Sequence, residues 1–577
     1  MTDTIKLRSQ RWLANDDFRT ANHRSRFMQM GFERKDWEGK PVVAIINSWS
    51  EFNPCHSHFR QRVEDVRRGI LQEGGFALEM PSMSLNDALV KPSALLYRNM
   101  MAMEIEEMIR CYPIDAVVLM GGCDKTTPAM LLGAISAGVP AIFLPAGPMQ
   151  RGHSGGRTLG SGSDAFKFWD EHRAGRISDA QWEGIIGGIA RGPGTCMTMG
   201  TASTMTAIVE ALGMSLPGAS SIPAVDAAHQ RLAAQTGRRI VGMVLENLRP
   251  ARILTRCAFL NAITVAMAMG CSTNAIIHTI ALARRAGHAD VGLEDFDRAS
   301  RRVPVIANIR PNGDSGYLME DFFLAGGLPA LMSRLGALLH LDEICVTGES
   351  LRVYVSPAQV LNEDVIRPLA RPVYGEGALA VLRGNLAPDG CVIKPSAMSP
   401  KFMNHRGPAL VFDDYPSLKR MLDDPDAEVT EDHVIVLRNA GPKGGPGMPE
   451  WGMIPLPLKL IRQGVRDMLR VSDARMSGTS YGACVLHVAP EAWVGGPLAL
   501  VQTGDLIVVD VPARRIRLDV EDAELDRRRA AWVAPPARFG RGYGRMFAEH
   551  ILQADQGCDM DFLLTQTGAS AGEPDIF

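Results

Sequence analysis

The amino-acid sequence predicts an α/β protein with two parts, an N-terminal α/β domain and a smaller C-terminal domain that is β-rich and barrel-like. The first part is predicted from residues 116–120, a short apolar and β-branched run that ends in a glycine turn. A helix-like segment at 128–137 and a second apolar run at 140–144 follow. This order is typical of a βαβ unit, in which ligands lie beyond the carboxyl ends of the strands.

The second part begins near residues 371–384, where the pattern of predicted elements changes. Short β-rich runs separated by many glycines and prolines follow, at 390–394, 409–412, 433–438, 483–488, 506–511 and 516–518. Such a pattern favours a separate, mainly β domain that closes like a barrel. We therefore expect an α/β domain over residues 1–375 and a β-rich domain over residues 376–577.

Composition narrows the functional classes. The chain has 577 residues, 46% of them hydrophobic and 22% charged, which is typical of a globular protein with several cores. A formal net charge of −3 gives no basic footprint for nucleic acid. Residues 1–12 are polar, unlike a signal peptide, and no apolar run is long enough to span a bilayer, so we expect a cytoplasmic location without membrane partners. Ten cysteines over this length do not indicate a disulfide scaffold.

The elements before the central βαβ unit follow the same pattern. Residues 1–40 are charged and aromatic and suggest an arm that packs on the body or on a neighbour. A buried strand at 41–47, a helix at 58–74, a weaker strand at 76–80 and a methionine-rich helix ending near residue 111 come next.

After the central unit, the sequence predicts helical structure at 163–189, 203–212 and most of 225–300, a strand at 303–309 and a helix at 319–339. Cys257 and Cys271 fall within the helical region, and we interpret both as packing residues.

Three cysteines lie where strands or glycine turns end. Cys55 follows the first strand, Cys123 follows the central strand, and Cys196 lies in a Gly/Thr-rich turn that opens a helix. His56 and His58 beside Cys55 imitate a zinc site, but no second ligand pair with zinc-finger spacing exists. Three cysteine ligands are an odd set for zinc or for a four-cysteine cluster, and they would leave one cluster iron open as a Lewis acid.

Several oxygen and nitrogen groups accompany these thiols. Asp124 and Lys125 follow Cys123 directly. A thiolate suits a soft metal and a carboxylate a hard one, so this turn could bind a metal. The alternative interpretation is a buried cysteine beside a surface Asp–Lys pair. Asp87 could instead cap a helix. Glu450 ends a Gly/Pro-rich loop at 441–450 and could bind a hard metal. Ser477 lies in a turn that is not a Gly-x-Ser-x-Gly elbow.

Longer runs connect these residues to a known family. They are Asn53-Pro54-Cys55, Gly-Gly-Cys-Asp-Lys-Thr-Thr-Pro at 121–128, Gly194-Thr195-Cys196, Ser272-Thr273-Asn274-Ala275, Met319-Glu320-Asp321-Phe322, the 441–450 loop and Arg475-Met476-Ser477-Gly478-Thr479. In these runs and their order the chain resembles the dihydroxy-acid and sugar-acid dehydratases, the IlvD/Edd family, over nearly its whole length. The resemblance implies a doubly wound N-terminal domain and a cleft against the smaller β-rich domain.

The resemblance also implies cofactors and roles. Cys55, Cys123 and Cys196 would hold a [2Fe–2S] cluster. Mg²⁺ would be bound by Asp87, Asp124, Glu450 and Lys125, the lysine as a carbamate because an ammonium cannot ligate a metal. Ser477 would act as an alkoxide base, with Thr479 steadying the alkoxide or the substrate. In the family pattern position 87 is glutamate; the shorter aspartate could still reach Mg²⁺ directly or through water.

The implied activity is that of an iron–sulfur and Mg²⁺-dependent dehydratase, a hydro-lyase that converts a 2,3-dihydroxy acid into a 2-keto-3-deoxy acid. Mg²⁺ would bind the carboxylate and the hydroxyl on carbon 2, Ser477 would take the proton from carbon 2, and the open iron would help the hydroxyl on carbon 3 to leave. The runs around Cys123 and Cys196 are more similar to pentonate dehydratases of the L-arabinonate and D-xylonate kind than to the branched-chain enzymes.

Two alternatives stay open at this point: a branched-chain dihydroxy-acid dehydratase, and a sugar-acid sensor that keeps the cluster without turnover. Ser477 and Glu450 argue against the sensor, which needs neither. The resemblance further implies a homodimer or homotetramer that takes a small-molecule sugar acid.

Overall fold

The computed structural model describes residues 7–313 and 316–564. An arm of three short helices precedes the first strand, namely α1 Gln10–Leu13, α2 Phe18–Gln29 and α3 Arg34–Trp37. Phe27 and Trp37 of the arm are buried with Val42 and Phe76 of the sheet. The charged N-terminal segment is therefore an arm that packs on the body through its few aromatic side chains.

Four parallel strands form the central sheet of the N-terminal domain. They are β1 Val42–Asn47, β2 Phe76–Pro81, β3 Ala116–Gly121 and β4 Ala141–Pro145, in the spatial order β2-β1-β3-β4. The helices α4 Phe59–Gln72, α5 Ala94–Cys111 and α6 Thr126–Ala137 connect them. Strands β1, β3 and β4 are buried along their full length because helices cover both faces of a parallel sheet. The strand order changes direction at β1, which is where ligands bind in folds of this kind.

The chain then leaves the sheet for a hairpin and a long helical region. The hairpin is β5 Gly152–Ser154 with β6 Arg157–Leu159, and the helices are α7 Gly162–Arg173, α8 Asp179–Ile189, α9 Thr201–Ala211, α10 Ala227–Leu245, α11 Pro250–Ile253, α12 Arg256–Met269, α13 Asn274–Arg285 and α14 Leu293–Ser300. Helix α10 packs on α4, and α6 packs on α5 and α13. Among the helices of the described ranges, none combines the length and apolar content that a bilayer crossing requires.

Two predictions for the segment after α14 were wrong in detail. The expected strand at 303–309 is buried, but it forms only isolated bridges, from Val305 to Tyr374 and from Ala307 to Ile366, because its neighbours are irregular loops. The helix expected at 319–339 is interrupted: α15 Met319–Leu324 ends before Gly326 and Gly327, whose φ angles are +109° and +63°. Helices α16 Gly327–Leu335 and α17 Arg352–Val355 follow.

Eight strands close into a barrel in the C-terminal region, which confirms the barrel-like prediction. They are β7 Ala380–Gly384, β8 Ala387–Ile393, β9 Asn404–Phe412, β10 Val434–Leu437, β11 Arg470–Ser472, β12 Cys484–Ala489, β13 Leu506–Asp510 and β14 Arg515–Leu518, in the spatial order β10-β11-β12-β8-β7-β14-β13-β9. Helices α18 Tyr415–Asp423, α19 Leu458–Arg462, α20 Asp522–Ala531 and α21 Gly542–His550 accompany the barrel. A hydrophobic core separate from that of the sheet lies within this part.

The last described segment returns to the first domain. Arg98 of α5 is fully buried and donates hydrogen bonds to the carbonyl oxygens of Gly557 at 3.1 Å and Cys558 at 2.6 Å. Arg285 of α13 forms a two-point ion pair with Asp559 at 2.7 and 3.0 Å. These contacts fix the C-terminal segment to the helices beside the sheet.

Candidate active site

The three predicted cysteines converge beyond the carboxyl end of the sheet. Cys55 lies in a short turn after β1, Cys123 in the loop after β3, and Cys196 in the loop before α9. All three line one cavity of about 570 Å³, whose opposite wall is built from loops of the barrel domain. The parallel sheet explains the convergence, because β1 and β3 are neighbours and end at the same edge.

Two of the three thiols, those of Cys55 and Cys196, lie in surroundings that disfavour their ionisation. A hydrogen bond with the Cys123 thiol, burial, and the nearby Cys196 and Asp124 raise the pKa of Cys55 well above its ordinary value. Burial, reinforced by the charge of Asp124, raises the pKa of Cys196 to about 12. All ten cysteines of the chain are free thiols in the described ranges, so none of the three is used in a disulfide. A bound cation would be needed to hold Cys55 and Cys196 as thiolates.

Polar groups surround the sulfur atoms and fix their loops. The amide of Asn86 donates to Sγ of Cys55 at 3.7 Å, and the backbone N–H of Asp87 donates to Sγ of Cys123 at 3.5 Å. His56 accepts a hydrogen bond at Nε2 from the backbone N–H of Cys123 at 3.0 Å, and burial lowers the pKa of His56 to about 4. His56 thus supports the Cys123 loop as a neutral ring. This hydrogen bond gives His56 a role other than that of a zinc ligand.

Three carboxylates form a second donor group in the same cavity. One oxygen each of Asp87, Asp124 and Glu450 lies within 4.8 Å of the others. The ammonium of Lys125 lies among them, with Nζ at 2.8 Å from Oδ1 of Asp87, 3.4 Å from Oε1 of Glu450 and 3.6 Å from Oδ2 of Asp124. The Lys125 side chain is fully buried, so the carboxylates provide its charge compensation.

Burial and mutual charge set the protonation of this group. Burial, the dominant cause, raises the pKa of Asp124 to about 7, and Lys125 only partly opposes it. Although burial acts against it, attraction to Lys125 and Arg475 lowers the pKa of Asp87. Burial and Arg475 disfavour the ammonium of Lys125, but the three carboxylates outweigh them and raise its pKa. Attraction between Lys125 and the carboxylates therefore favours the charged forms of Lys125 and Asp87 inside the protein.

Glu450 is positioned by two residues from different domains. Asn274, at the start of α13, donates from Nδ2 to Oε1 of Glu450 at 2.9 Å. Arg475 donates from Nη1 to the same oxygen at 3.0 Å and from Nη1 to Oδ1 of Asn274 at 3.0 Å. Its Nη2 donates to Oγ of Ser93 at 3.1 Å, which links the barrel loops to the start of α5. Glu450 is thus fixed at the boundary between the two parts of the chain.

The serine predicted as a base also lines this cavity. Oγ of Ser477 lies 3.0 Å from Oγ1 of Thr479, and the backbone N–H of Thr479 donates to Oγ of Ser477 at 3.4 Å. Gly478 allows the close approach of this turn to α9, because a Cβ there would lie 2.6 Å from the backbone nitrogen of Thr201. The amide of Thr479 is therefore directed at the Ser477 oxygen, and the Thr479 hydroxyl shares a hydrogen bond with it.

The structure brings every predicted site residue into one place. They are Cys55, Cys123, Cys196, Asp87, Asp124, Lys125, Glu450, Ser477 and Thr479. Sequence reasoning gave no role to Asn274, Arg475 or Asn86, which hold the carboxylate and sulfur donors. The only signal for the first two was their presence in the 272–275 and 475–479 runs.

The donor sets fit two different kinds of inorganic group. Three convergent sulfurs with N–H donors around them suit iron in a sulfur cluster. Three carboxylates at mutual distances within 4.8 Å suit a hard divalent cation. The buried ammonium of Lys125 occupies the centre of that oxygen group, so a divalent ion there requires the lysine to lose its charge or to become an oxygen ligand.

Comparisons with known proteins match most of the chain, including all the residues of this site, to one enzyme family. Residues 40–354 match the family described as dihydroxy-acid/6-phosphogluconate dehydratase, N-terminal, and residues 364–558 match its C-terminal counterpart. The chain is 52% identical to the 6-deoxy-6-sulfo-D-gluconate dehydratase of Pseudomonas putida, covering 99% of this chain and 98% of that one. It is 45% identical to an L-arabinonate dehydratase of Rhizobium leguminosarum bv. trifolii, with 98% of both chains covered. A dihydroxy-acid dehydratase of Halothermothrix orenii is 36% identical, over 94% of this chain and 98% of its own length.

Proposed function

Because the chain belongs to the dihydroxy-acid/6-phosphogluconate dehydratase family, and is thus an enzyme of the dehydratase type, we propose that it removes water from a 2,3-dihydroxy sugar acid. The product is a 2-keto-3-deoxy acid. The observation that carries the proposal is that Ser477 lines the same cavity as the three thiols and the three carboxylates. The higher identity to relatives named for sugar acids than to those named for dihydroxy acids supports an aldonate as substrate.

The two donor sets support an assignment of residues to the two cofactors. Cys55, Cys123 and Cys196 would hold a [2Fe–2S] cluster, and Asp87, Asp124 and Glu450 would hold Mg²⁺, with Lys125 as a carbamate ligand. When bound, the two groups supply Lewis acidity toward the substrate oxygens. Carbamate formation would replace the ammonium at the centre of the carboxylates by an anionic oxygen donor.

The protein residues then account for the proton transfer. Ser477 as an alkoxide takes the proton from carbon 2, and the electron pair of that C–H bond forms the C2=C3 double bond. Hydroxide leaves carbon 3 and takes up the proton held by Ser477, which gives water and restores the alkoxide. The resulting enol accepts a proton at carbon 3, loses the proton of its hydroxyl on carbon 2, and becomes the 2-keto-3-deoxy acid. The N–H and the hydroxyl of Thr479 stabilise the Ser477 oxygen as it carries negative charge.

The experiment is anaerobic purification, followed by an absorption spectrum, iron, sulfide and magnesium analysis, and an assay for 2-keto acid. The panel contains D-gluconate, L-arabinonate, D-xylonate and a 2,3-dihydroxy-isovalerate. Turnover of the aldonates together with a [2Fe–2S] spectrum and magnesium dependence supports the proposal. Preference for the isovalerate would replace it by the branched-chain alternative, and a colourless zinc protein would refute the cofactor assignment.

A further inference from the structure

The loop between β2 and α5 reaches both donor groups of the active-site cavity through two adjacent residues. The side-chain amide of Asn86 donates to Sγ of Cys55 at 3.7 Å. The backbone N–H of Asp87 donates to Sγ of Cys123 at 3.5 Å, while its carboxylate pairs with the Lys125 ammonium at 2.8 Å. Consecutive residues of one loop therefore provide hydrogen bonds to two of the three sulfur atoms of the site.

The orientation of the Asn86 amide follows from its other contacts. Its oxygen, Oδ1, accepts the backbone N–H groups of Ala88 and Leu89, both at 3.1 Å. An amide rotated by half a turn would place its NH₂ group against these two donors and its oxygen against the sulfur, so these hydrogen bonds would be lost. The NH₂ end of the side chain is therefore the end that faces Cys55.

The two hydrogens of that NH₂ group have two different acceptors. One is Sγ of Cys55, and the other is Oδ1 of Asn53 at 3.3 Å. Asn53 is fully buried, and its own amide nitrogen donates to Oγ of Ser84 at 3.0 Å. Asn86 itself is only 5% exposed, so water has little access to its amide. The sulfur is therefore the partner that completes the hydrogen bonding of this buried side chain.

Resting on the proposed function, in which Cys55 would ligate a [2Fe–2S] cluster, we propose that Asn86 raises the reduction potential of that cluster through its hydrogen bond to the Cys55 sulfur. Such a bond draws electron density from the sulfur and stabilises the reduced, more negative state of a cluster. Asn86 is a positioning residue, because it acts through the sulfur and takes no part in the proton transfer. Asp87 contacts Cys123 through its backbone, so the side chain of Asn86 is the donor that substitution can remove.

The alternative role of Asn86 is to cap the turn that contains Ala88 and Leu89, and two variants separate the roles. Asn86→Ala removes both the sulfur donor and the acceptor of the turn. Asn86→Ser keeps an acceptor for backbone N–H groups on a shorter side chain, but it lacks the amide that extends to the sulfur.

Potentiometric titration of the holoenzymes measures the effect. In both variants we expect the midpoint potential to fall by about 59 mV, which is a tenfold shift of the one-electron equilibrium toward the oxidised cluster. A wild-type potential in Asn86→Ser together with a lower potential in Asn86→Ala would assign the effect to the turn and overturn the proposal.

The matched control in the same loop is Ser84→Ala. The Ser84 hydroxyl donates to the carbonyl oxygen of Ser48 and accepts from the amide nitrogen of Asn53. The substitution therefore removes hydrogen bonds close to Asn86 and leaves the donor to the Cys55 sulfur in place. Ser84→Ala should keep the wild-type potential. An equal fall in Ser84→Ala and in both Asn86 variants would reflect a general loosening of the loop and overturn the role of Asn86.

Resonance Raman spectra of the oxidised holoenzyme give a readout that needs neither reduction nor turnover. Exchange into D₂O should shift the Fe–S(Cys) stretching bands of wild type and Ser84→Ala, because deuterons replace the protons that face the sulfur atoms. The shift should be smaller in both Asn86 variants.

The outcomes separate this inference from the proposed function. The absence of a deuterium shift in wild type, or equal shifts in all four proteins, overturns the role of Asn86 alone when the enzyme holds its cluster and converts an aldonate. Unchanged potentials in both Asn86 variants do the same. A wild-type protein without an iron–sulfur cluster overturns the cofactor assignment of the proposed function as well.

Discussion

Arg475 donates from Nη1 to Oε1 of Glu450 at 3.0 Å and from Nε to the carbonyl oxygen of Met448 at 2.7 Å. One side chain, 1% exposed, thus fixes both a carboxylate of the proposed Mg²⁺ site and the loop that carries it. A planar guanidinium can make both contacts at once, whereas an ammonium on a flexible stem cannot.

Arg475→Lys should therefore weaken magnesium binding by about 10–100-fold, because residues that orient metal ligands have effects of this size. Magnesium titration of the activity and of bound metal measures it. Arg470→Lys is the matched control: Arg470 is similarly buried, but it pairs with Asp467 at 2.8 Å and not with Glu450. A similar loss of magnesium affinity in both variants would mean that Arg475 contributes only to general stability.

Ser477→Ala should abolish most turnover while the cluster and magnesium contents stay unchanged. We expect kcat to fall by about 10²–10⁴-fold, the range for removal of a positioned base. Ser480→Ala is the control, because the buried hydroxyl of Ser480 in the same turn has no hydrogen-bond partner in the described ranges. Normal turnover in Ser477→Ala would refute its role as base and favour another proton acceptor.

Cys196→Ser should lose the iron and sulfide of the purified protein together with its visible absorption, since a hydroxyl is a poor ligand for a sulfur cluster. Cys257→Ser changes a cysteine of α12 that does not line the cavity, so it should keep both. Metal analysis and absorption spectra of the two anaerobically purified variants provide the comparison. Retention of a full cluster by Cys196→Ser would remove Cys196 from the ligand set.

The buried lysine Lys394 leads to a prediction about the pH dependence of stability. It is 1% exposed, its Nζ donates to the carbonyl oxygen of Gly270 at 2.9 Å, and burial lowers its pKa from 10.5 to about 8. The folded protein binds this proton more weakly than the unfolded chain does. The penalty is therefore fully present below pH 8 and disappears as the pH rises from about 8 to 10.5, which amounts to about 3 kcal/mol.

Urea unfolding of wild type and Lys394→Met between pH 7 and 10.5 tests this prediction. The free energy of unfolding of Lys394→Met relative to wild type should fall by about 3 kcal/mol across that range, because only wild type gains stability as Lys394 loses its proton. Lys401→Met, which removes a surface lysine paired with Glu431, should run parallel to wild type. A constant difference between Lys394→Met and wild type would show that Lys394 keeps an ordinary pKa.

The sequence predicted the site best for residues that directly follow strands of the parallel sheet. Cys55 and Cys123 follow strands that proved to be neighbours, and carboxyl ends of parallel strands share one edge, so their meeting could be predicted. The prediction of a strand at 303–309 was wrong because a buried segment has an apolar sequence whether or not a neighbouring strand is available for pairing.

The supporting residues of the site could not be predicted in this way. Asn274 and Glu450 are 176 residues apart in the chain, and Arg475 and Ser93 are 382 apart. No local pattern encodes such a pair, because the contact arises from the docking of the barrel loops on α5 and α13.

The division of the site between two parts of the chain also orders events in time during translation. The three thiols are all encoded before residue 200, whereas the third carboxylate and the serine come only with Glu450 and Ser477. At ~5–20 residues per second, the ribosome delivers the second half of the site on the order of tens of seconds after the first. Nascent chains therefore carry the three thiols of the proposed cluster site well before the residues proposed to bind and convert a substrate are complete.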